Sequence, residues 1–383
     1  MHIALVADKN TLFFHHGVRR LLLSMIDLLS KQGHEVNFIY HDELDNTLYQ
    51  LIPDKASLEN NFFSNAKLVG QSRSEILKGL QSEKLKYIHQ KPELSIDLST
   101  STKLSHQRKF DLAILAGPWV YNPSHPIPSA NSYKCIALDC IPIKYYFSNP
   151  NAHGLRLFAH EHNRGYRWAN EQANGILSLS EATRNDLIKY GYGDATASNM
   201  KIIPTLIPPG FSDIRKEEIQ GERKRTVILA APFDPRKGLL EIPKMVNNGE
   251  IDKLIIFGRP RCPADLLQDF FEKIDIDDIT WYIDIDFKTQ KKLYLQSRVL
   301  LFPSHNEGLG IPILEAYSSG CRVLCYKKLE TSYLLLPEDR MGATESFHDN
   351  LNISMQLTHQ PDKYWLHARK IASEASNDST ICI

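Results

Sequence analysis

The sequence predicts an α/β protein with two doubly wound halves, each a mostly parallel sheet covered by helices. Short apolar runs alternate with helix-length amphipathic segments, which is typical of parallel strands joined by crossover helices. This alternation occurs in two series along the chain. At 383 residues the chain is longer than one hydrophobic core supports, so two domains are expected.

The first series begins with HIALVA as a strand, followed by a helix from about Val18 to Gln32 that Gly33 ends. EVNFIY, DLAILAG, YKCIAL and GILSLS are the next predicted strands. Between them, residues 43–109 are rich in Ser, Lys, Asn and Gln with weak periodicity. We therefore interpret residues 43–109 as an irregular insertion in the first domain.

The second series contains five apolar runs, TVILAAP, KLIIFG, ITWYID, RVLLFPS and RVLCY, with helical patterns such as FKTQKKLYLQS between them. The stretch IPPGFSDIRKEEIQGERKRT, which precedes the series, has prolines and glycines and then dense charge, as exposed connections do. The predicted domains are residues 1–211 and 212–360. A C-terminal helix over 361–383 is expected to pack back on the first domain.

Composition excludes several classes of partner. Lys+Arg 45 against Asp+Glu 45 gives zero net charge without a long basic run, which argues against nucleic acid. No apolar run is long enough to span a membrane, and MHIALVADKN leads straight into a strand, so a cytoplasmic location is predicted. The six cysteines have no metal-ligand spacing and are expected to be reduced thiols.

The segment SHNEGLGIPILEAYSSG, residues 304–320, is the strongest candidate for a ligand site. It follows a buried strand, and ligands of open α/β sheets bind at the carboxyl ends of strands. Gly308 and Gly310 let the backbone approach a ligand, and the first N–H groups of the following helix are free to donate. Glu307 in the loop and Glu315, expected on the first helical turn, can accept hydrogen bonds from paired hydroxyls. Alternatively, each carboxylate only favours the helix dipole.

This segment resembles the E-x7-E signature of retaining GT-B glycosyltransferases, usually called family 4. The resemblance implies two Rossmann-like domains facing a cleft, with the acceptor bound by the first domain and the nucleotide-sugar donor by the second. In that family the first Glu contacts the donor sugar and the second holds the ribose. Those roles fall on Glu307 and Glu315, with loop amides at Gly308, Leu309, Gly310 and Ile311.

APFDPRKGLLEI, residues 231–242, is similar to the GxxxPRKG turn of the same family. The resemblance places the diphosphate-binding lysine at Lys237 with Arg236 beside it, and two cations suit a diphosphate. A solvated basic turn is the alternative. Many relatives have an arginine where Ala231 stands, so Arg259 or Arg261 is expected to compensate.

HHGVRRLLLSMIDLLSKQGHEV, residues 15–36, is similar to the family's glycine loop and first helix. The implied acceptor or cleft residues are Gly17, His16 and Arg19, with Arg20 adding charge. Two alternative interpretations remain open. The histidines belong to an ordinary loop, and the arginines lie on a solvated helix face. ALDCIPIKYY is similar to the HDxIPxxxP segment of a subgroup that builds bacterial surface polysaccharides. There Asp139 matches the aspartate, either as a catalytic or acceptor-site residue or as a turn residue.

The sequence DID at 284–286 resembles the DxD that binds a divalent cation in the other glycosyltransferase architecture. We interpret Asp286 as a helix N-cap and predict neither a metal nor a cofactor, because Arg and Lys supply the positive charge.

The resemblance implies a retaining hexosyltransferase that uses GDP-mannose or a UDP-sugar. Its acceptor is a glycan or lipid-linked oligosaccharide of bacterial O-antigen or capsule synthesis, with peripheral contact at the cytoplasmic membrane. Two alternatives stay open. One is a sugar-nucleotide epimerase of the same architecture, and the other is a non-catalytic nucleotide-sugar-binding subunit.

Overall fold

The computed structural model of the chain describes residues 1–14, 16–51, 67–82, 84–89, 98, 101–105, 107–148, 154–193, 199–247 and 249–377. They form two compact units, each described here by itself. The first unit takes residues 1–62, 96–209 and 375–383, and the second takes 63–95 and 210–374.

The strands are numbered in chain order. They are β1 His2–Asp8, β2 Glu35–Asp42, β3 Thr47–Leu51, β4 Lys67–Gly70, β5 Thr102–Lys103, β6 Phe110–Leu115, β7 Ala130–Ala137, β8 Ile176–Ser178, β9 Met200–Ile202, β10 Thr226–Ala230, β11 Lys253–Phe257, β12 Ile279–Asp284, β13 Val299–Phe302, β14 Arg322–Tyr326 and β15 Arg340–Met341.

The α-helices of the described residues are α1 Lys9–Phe14, α2 His16–Lys31, α3 Arg73–Gln81, α4 Ile141–Tyr146, α5 Gly154–Glu171, α6 Glu181–Lys189, α7 Ile242–Val246, α8 Ala264–Lys273, α9 Phe287–Gln296, α10 Ile311–Ser318, α11 Thr344–Gln356 and α12 Pro361–Asn377. Within the described ranges, no helix has the length and apolar character needed to cross a bilayer.

The sheet of the first unit has the order β5-β3-β2-β1-β6-β7-β8-β9. From β2 to β9 the neighbours run parallel, whereas β3 pairs antiparallel with both β2 and β5. The central strand β1 is buried from Ile3 to Asp8. Helices on a parallel sheet cover both faces, which is why β1 reads as a continuous apolar run.

The sheet of the second unit has the order β15-β14-β13-β10-β11-β12-β4. All pairs are parallel except β12 with β4. Every residue of β10, β13 and β14 is buried. The core beside the sheet is aromatic, with Phe233 packed against Trp281 at a centroid distance of 4.8 Å. Two mostly parallel sheets with flanking helices confirm the predicted fold class.

The segment 43–109 differs from the prediction of an irregular insertion confined to the first domain. Strands β3 and β5 join the first sheet, but β4 pairs with β12 of the second sheet, with Gly70 opposite Trp281. Ile76 of α3 is fully buried in the second core. The elements are too short for a recognisable period, so their burial was not visible in the pattern. Residues 52–66, 83, 90–97, 99, 100 and 106 of this segment lie outside the described residues.

The C-terminal helix α12 makes its described contacts with the second unit. Trp365 donates from Nε1 to the Ile214 carbonyl at 2.9 Å, and the Tyr364 ring stacks on Tyr317 at 6.1 Å. Residues 375–377 are assigned to the first unit. Packing of the end of the helix on the first domain stays a prediction, because residues 378–383 lie outside the described residues.

Candidate functional site

The candidate site lies at the carboxyl ends of β10 and β13. In the second sheet, the chain proceeds from β10 outward to β12 and then returns to place β13 on the other side of β10. Loops at such a switch point diverge and leave a crevice in which ligands of open α/β sheets bind. Lys237 follows β10 and Glu307 follows β13.

A tight turn presents Lys237. Asp234 accepts from the Arg236 amide at 2.9 Å and begins the short 3-10 helix Pro235–Lys237, which Gly238 ends at φ 77°. A Cβ at Gly238 would lie 2.5 Å from the Pro303 carbonyl oxygen. Only glycine therefore allows this turn to approach the loop after β13 so closely.

Arg236 joins the turn to that loop. The His305 amide donates to the Arg236 carbonyl at 2.9 Å, and Arg236 Nη1 donates to the Asn306 carbonyl at 2.6 Å. The guanidinium also lies 3.5 Å from the Asp234 carboxylate. In this structure Arg236 positions Asn306 and Glu307 through the backbone, a role that the sequence did not indicate.

Lys237 and Glu307 form an ion pair whose side chains are only 15% and 12% exposed. Ser304 Oγ donates to Glu307 Oε1 at 2.7 Å. Burial lowers the pKa of the Lys237 ammonium, despite the opposing attraction of Glu307. The pair is thus a largely desolvated lysine and carboxylate at the carboxyl ends of β10 and β13.

The loop after Glu307 presents unused backbone donors. Gly310, at φ 73°, is the N-cap of α10, and the first bond into that helix runs from the Ile313 amide to the Gly310 carbonyl at 2.8 Å. Among the described residues, the amides of 308–311 have no hydrogen-bond acceptor. A helix N-terminus with free amides and a positive dipole end favours an anion.

Glu315 lies further along the helix than predicted. Because α10 begins at Ile311, Glu315 is in the second turn rather than the first. Its side chain is fully buried, and Gln290 of α9 donates to Glu315 Oε2 at 2.9 Å.

A hydrogen-bonded cluster behind the loop was missed by the sequence analysis. Glu241 accepts from the Tyr326 hydroxyl at 2.5 Å and lies 3.1 Å from His305 Nε2. The His305 ring stacks on Tyr326 at 5.2 Å. Since these residues are far apart in sequence and follow no shared period, no pattern could have indicated the cluster.

Two side chains near β12 have structural partners. Arg259 pairs with both oxygens of the Asp284 carboxylate, with Nε 2.9 Å from Oδ1. Arg259, one of the two arginines expected to compensate for Ala231, is therefore held by Asp284. The other, Arg261, is exposed, and its compensating role stays a prediction. Asp286 accepts from the Thr289 amide at 2.8 Å, which confirms the predicted N-cap of α9.

The residues predicted for the acceptor lie in the first unit. Asp139, after β7, accepts from the Ile141 amide at 2.9 Å, and its carbonyl accepts from Tyr166 at 2.7 Å. This is the turn role that the sequence left open, and the catalytic role stays a prediction.

At the other predicted acceptor segment, the chain after β1 forms α1, and Gly17 is the second residue of α2 rather than part of a glycine loop. Arg19 and Arg20 are buried, so the solvated-face interpretation was wrong. His16 begins α2, but its side chain and His15 lie outside the described residues.

Within the described part of the chain, no group of three or more His, Cys, Asp or Glu side chains is arranged to hold a metal ion.

The chain is similar to known proteins in sequence and in fold. Residues 211–334 match the family model of glycosyl transferases group 1. The chain is 26% identical over 141 residues to the O-antigen chain mannosyltransferase RfbU of Salmonella typhimurium, covering 36% of this chain and 40% of RfbU. It is 20% identical to an uncharacterized 41.2 kDa protein in the cps region of Klebsiella pneumoniae, over 50% of each chain. The matched regions span half or less of these two relatives.

Two solved structures share the fold across most of the chain. WaaG, a glycosyltransferase involved in lipopolysaccharide biosynthesis, is 14% identical with a TM-score of 0.58, covering 98% of this chain and 95% of WaaG. Anabaena HepE in complex with UDP-glucose is 13% identical with a TM-score of 0.55, at the same coverage. Residues 211–334 are therefore similar to a glycosyl transferases group 1 domain, and the chain as a whole shares the GT-B fold of these structures.

Proposed function

We propose that this protein is a retaining glycosyltransferase that moves a hexosyl unit from a nucleotide diphosphate sugar, GDP-mannose or a UDP-sugar, to a glycan or lipid-linked oligosaccharide. The observation that carries the proposal is the arrangement of Lys237, Glu307 and the free amides of 308–311 at one switch point. Each group suits one part of such a donor.

The cation and the amides suit the diphosphate. Departure of the nucleotide diphosphate builds negative charge on the leaving oxygen, which preorganised donors in a site of low dielectric stabilise. Lys237 supplies the charge, and the amides of 308–311, which lead into α10, supply directed hydrogen bonds. Arg236 contributes by holding the loop that carries Glu307.

The carboxylates suit hydroxyl groups. Glu307 is assigned to the transferred sugar and Glu315 to the ribose, as the family resemblance implies. For Glu315 to accept from a ribose, the nucleoside has to reach a side chain that is now buried against Gln290. Binding at Glu315 therefore includes a rearrangement of the groups that cover it.

The acceptor assignment rests on relatives rather than on geometry. RfbU is named for O-antigen chain mannose transfer, and the Klebsiella protein is named for its cps region. These names support a role in bacterial surface polysaccharide synthesis. The residues assigned to the acceptor side are Asp139, Gly17, His16 and Arg19. The protein as a whole is proposed to make peripheral contact with the cytoplasmic face of the membrane.

A thermal-shift screen against UDP, GDP, CDP, dTDP and ADP and their common sugars tests the proposal. We expect one nucleotide to raise the melting temperature of the wild type, because a ligand that binds only the folded state stabilises it. Lys237→Ala and Glu315→Ala should lose this rise. Lys370→Ala, the same change at an exposed lysine in the same unit, should keep it.

Incubation of the donor that binds, with and without acceptor extracts, separates the three functions. Sugar transfer that depends on acceptor supports the transferase. Conversion of the donor alone to an isomer identifies an epimerase, and binding without any product identifies a non-catalytic subunit. If no nucleotide shifts the melting temperature, the proposed donor site is wrong.

A further inference from the structure

Thr331 contains a buried hydroxyl that the fold does not use. The residue is fully buried just before the 3-10 helix Ser332–Leu334, and its carbonyl accepts from the Leu334 amide at 3.0 Å. Its Oγ1 makes no hydrogen bond with any described residue. Because burying a hydroxyl without a partner costs about 1–3 kcal/mol, this group calls for a role that the described contacts do not supply.

This hydroxyl lies beside the N-cap of α10. A Cβ built on Gly310 would be 3.1 Å from Thr331 Oγ1, so the hydroxyl packs directly against that glycine. Gly310 is flanked by the amides of 308–311, which also lack acceptors among the described residues. Two independent sets of unused donors, one from the backbone and one from a side chain, therefore meet at one point.

The chemistry of this point favours a phosphoryl oxygen over a sugar hydroxyl. The amides can only donate a hydrogen bond, and the hydroxyl can donate one as well. A phosphoryl oxygen can only accept, so it matches both kinds of donor. Glu307, which is proposed to accept hydrogen bonds from the sugar hydroxyls, is at the other end of the loop and is paired with Lys237.

We infer that the Thr331 hydroxyl is a donor to the diphosphate of the nucleotide, alongside the amides at the start of α10. The inference rests on the proposed function, because it adds one residue to the proposed donor site. Since Oγ1 is enclosed beside Gly310, contact requires the glycine loop 308–310 to shift on binding.

Three variants separate a binding role from a structural one. Thr331→Val removes the hydroxyl and keeps the shape, Thr331→Ser keeps the hydroxyl, and Ser332→Ala removes a hydroxyl from the neighbouring, half-buried residue. For each variant, the melting temperature without ligand is measured. Titration calorimetry then gives the Kd for the preferred nucleoside diphosphate, and NMR titration gives the Kd for the matching nucleoside.

We expect Thr331→Val to melt at the wild-type temperature or above, since no hydrogen bond is lost in the unliganded protein. Its Kd for the diphosphate should rise about tenfold or more, as expected for a hydrogen bond to a charged group. Its Kd for the nucleoside should be unchanged. Thr331→Ser and Ser332→Ala should bind the diphosphate like the wild type.

Equal diphosphate affinity in Thr331→Val and wild type overturns this inference and leaves the proposed function intact. If Thr331→Val melts at a lower temperature and binds the nucleoside and the diphosphate equally more weakly, Thr331 has a structural role. That result also overturns this inference. If the wild type binds no nucleoside diphosphate, the proposed function is overturned, and this inference with it.

Discussion

The ion pair between Lys237 and Glu307 is the chemical centre of the candidate site. Taking two charges out of water costs several kcal/mol per ion, which their mutual attraction often fails to offset. Ser304 adds one hydrogen bond to Glu307, but the burial of Lys237 still lowers its pKa. A buried pair of this kind contributes little net stability, which fits a site selected for ligand binding.

Removing both partners of the pair should cost less than the sum of removing each one alone. Lys237→Met leaves the Glu307 carboxylate buried without its cation, and Glu307→Gln leaves the ammonium in the same state. Each single variant should lose about 3 kcal/mol of stability, and the double variant should lose clearly less than the sum. Chemical denaturation of the four proteins measures the coupling. Strict additivity would mean that the two charges do not interact.

The lowered pKa of Lys237 gives a pH dependence with a definite sign. Between its pKa in the folded state and the ordinary value near 10.4, the unfolded chain binds more protons than the native state. In that window the free energy of unfolding rises with pH. The stability of the wild type relative to Lys237→Met should therefore increase as pH approaches about 10.4. Thermal melts on both proteins from neutral to alkaline pH test this, and a decreasing difference contradicts it.

Among the elements, the turn at Gly238 fixes the distance between two loops. Gly238→Ala introduces both backbone strain at φ 77° and a Cβ 2.5 Å from the Pro303 carbonyl oxygen. Gly191→Ala is a matched control, because its φ is 79° and no atom lies within 4 Å of the added Cβ. The control should cost about 1–2 kcal/mol from strain alone.

Gly238→Ala should melt at a lower temperature than Gly191→Ala and should also lose nucleotide binding. Thermal melting with and without the preferred nucleotide compares the two. If both variants behave alike, the close approach to Pro303 is unimportant.

The element formed by β4 and α3 completes the second sheet from a distant part of the sequence. Ile76→Ala should cost about 2–5 kcal/mol, because a fully buried side chain is truncated in a close-packed core. Hydrogen exchange should then accelerate in β12, whose edge β4 covers, and not in β1. Leu68→Ala, at a position of β4 that is 38% exposed, is the control. Unchanged exchange in β12 would mean that its protection does not depend on this element.

The elements that the sequence predicted well have strong local signals. The strands β10, β11 and β13 are apolar runs bounded by turn residues, and α2 has a helical period that Gly33 ends at φ 80°. The pairing of β4 with β12 depends on contacts between residues more than 200 positions apart, which no local period encodes. Likewise Glu307 was visible in a motif, whereas Glu241 and Thr331 contribute only through their three-dimensional neighbours.

At the scale of the whole molecule, the net charge and the local charge of the candidate site predict binding of different ligands. The chain has zero formal net charge, yet the proposed site of Lys237 and the amides of 308–311 would bind an anion locally. A balanced surface does not attract long polyanions, because non-specific nucleic-acid binding depends on many neutralised phosphates.

The protein should therefore show no binding to labelled duplex DNA at low salt, while it binds a nucleoside diphosphate. Fluorescence anisotropy with DNA, and calorimetry with the nucleotide, measure the two. Salt-dependent DNA binding would reveal a basic surface that the composition conceals.

Because β4 lies far upstream of its partner β12, the second sheet can be completed only late in synthesis of the chain. The ribosome releases β4 about 200 residues before its partner β12, a delay of roughly 10–40 s at the usual rate of translation. During that interval β4 is a strand without its sheet, and an unpaired strand edge invites aggregation. Folding of this protein in the cell is thus expected to require protection of the nascent chain by chaperones until the second sheet is complete.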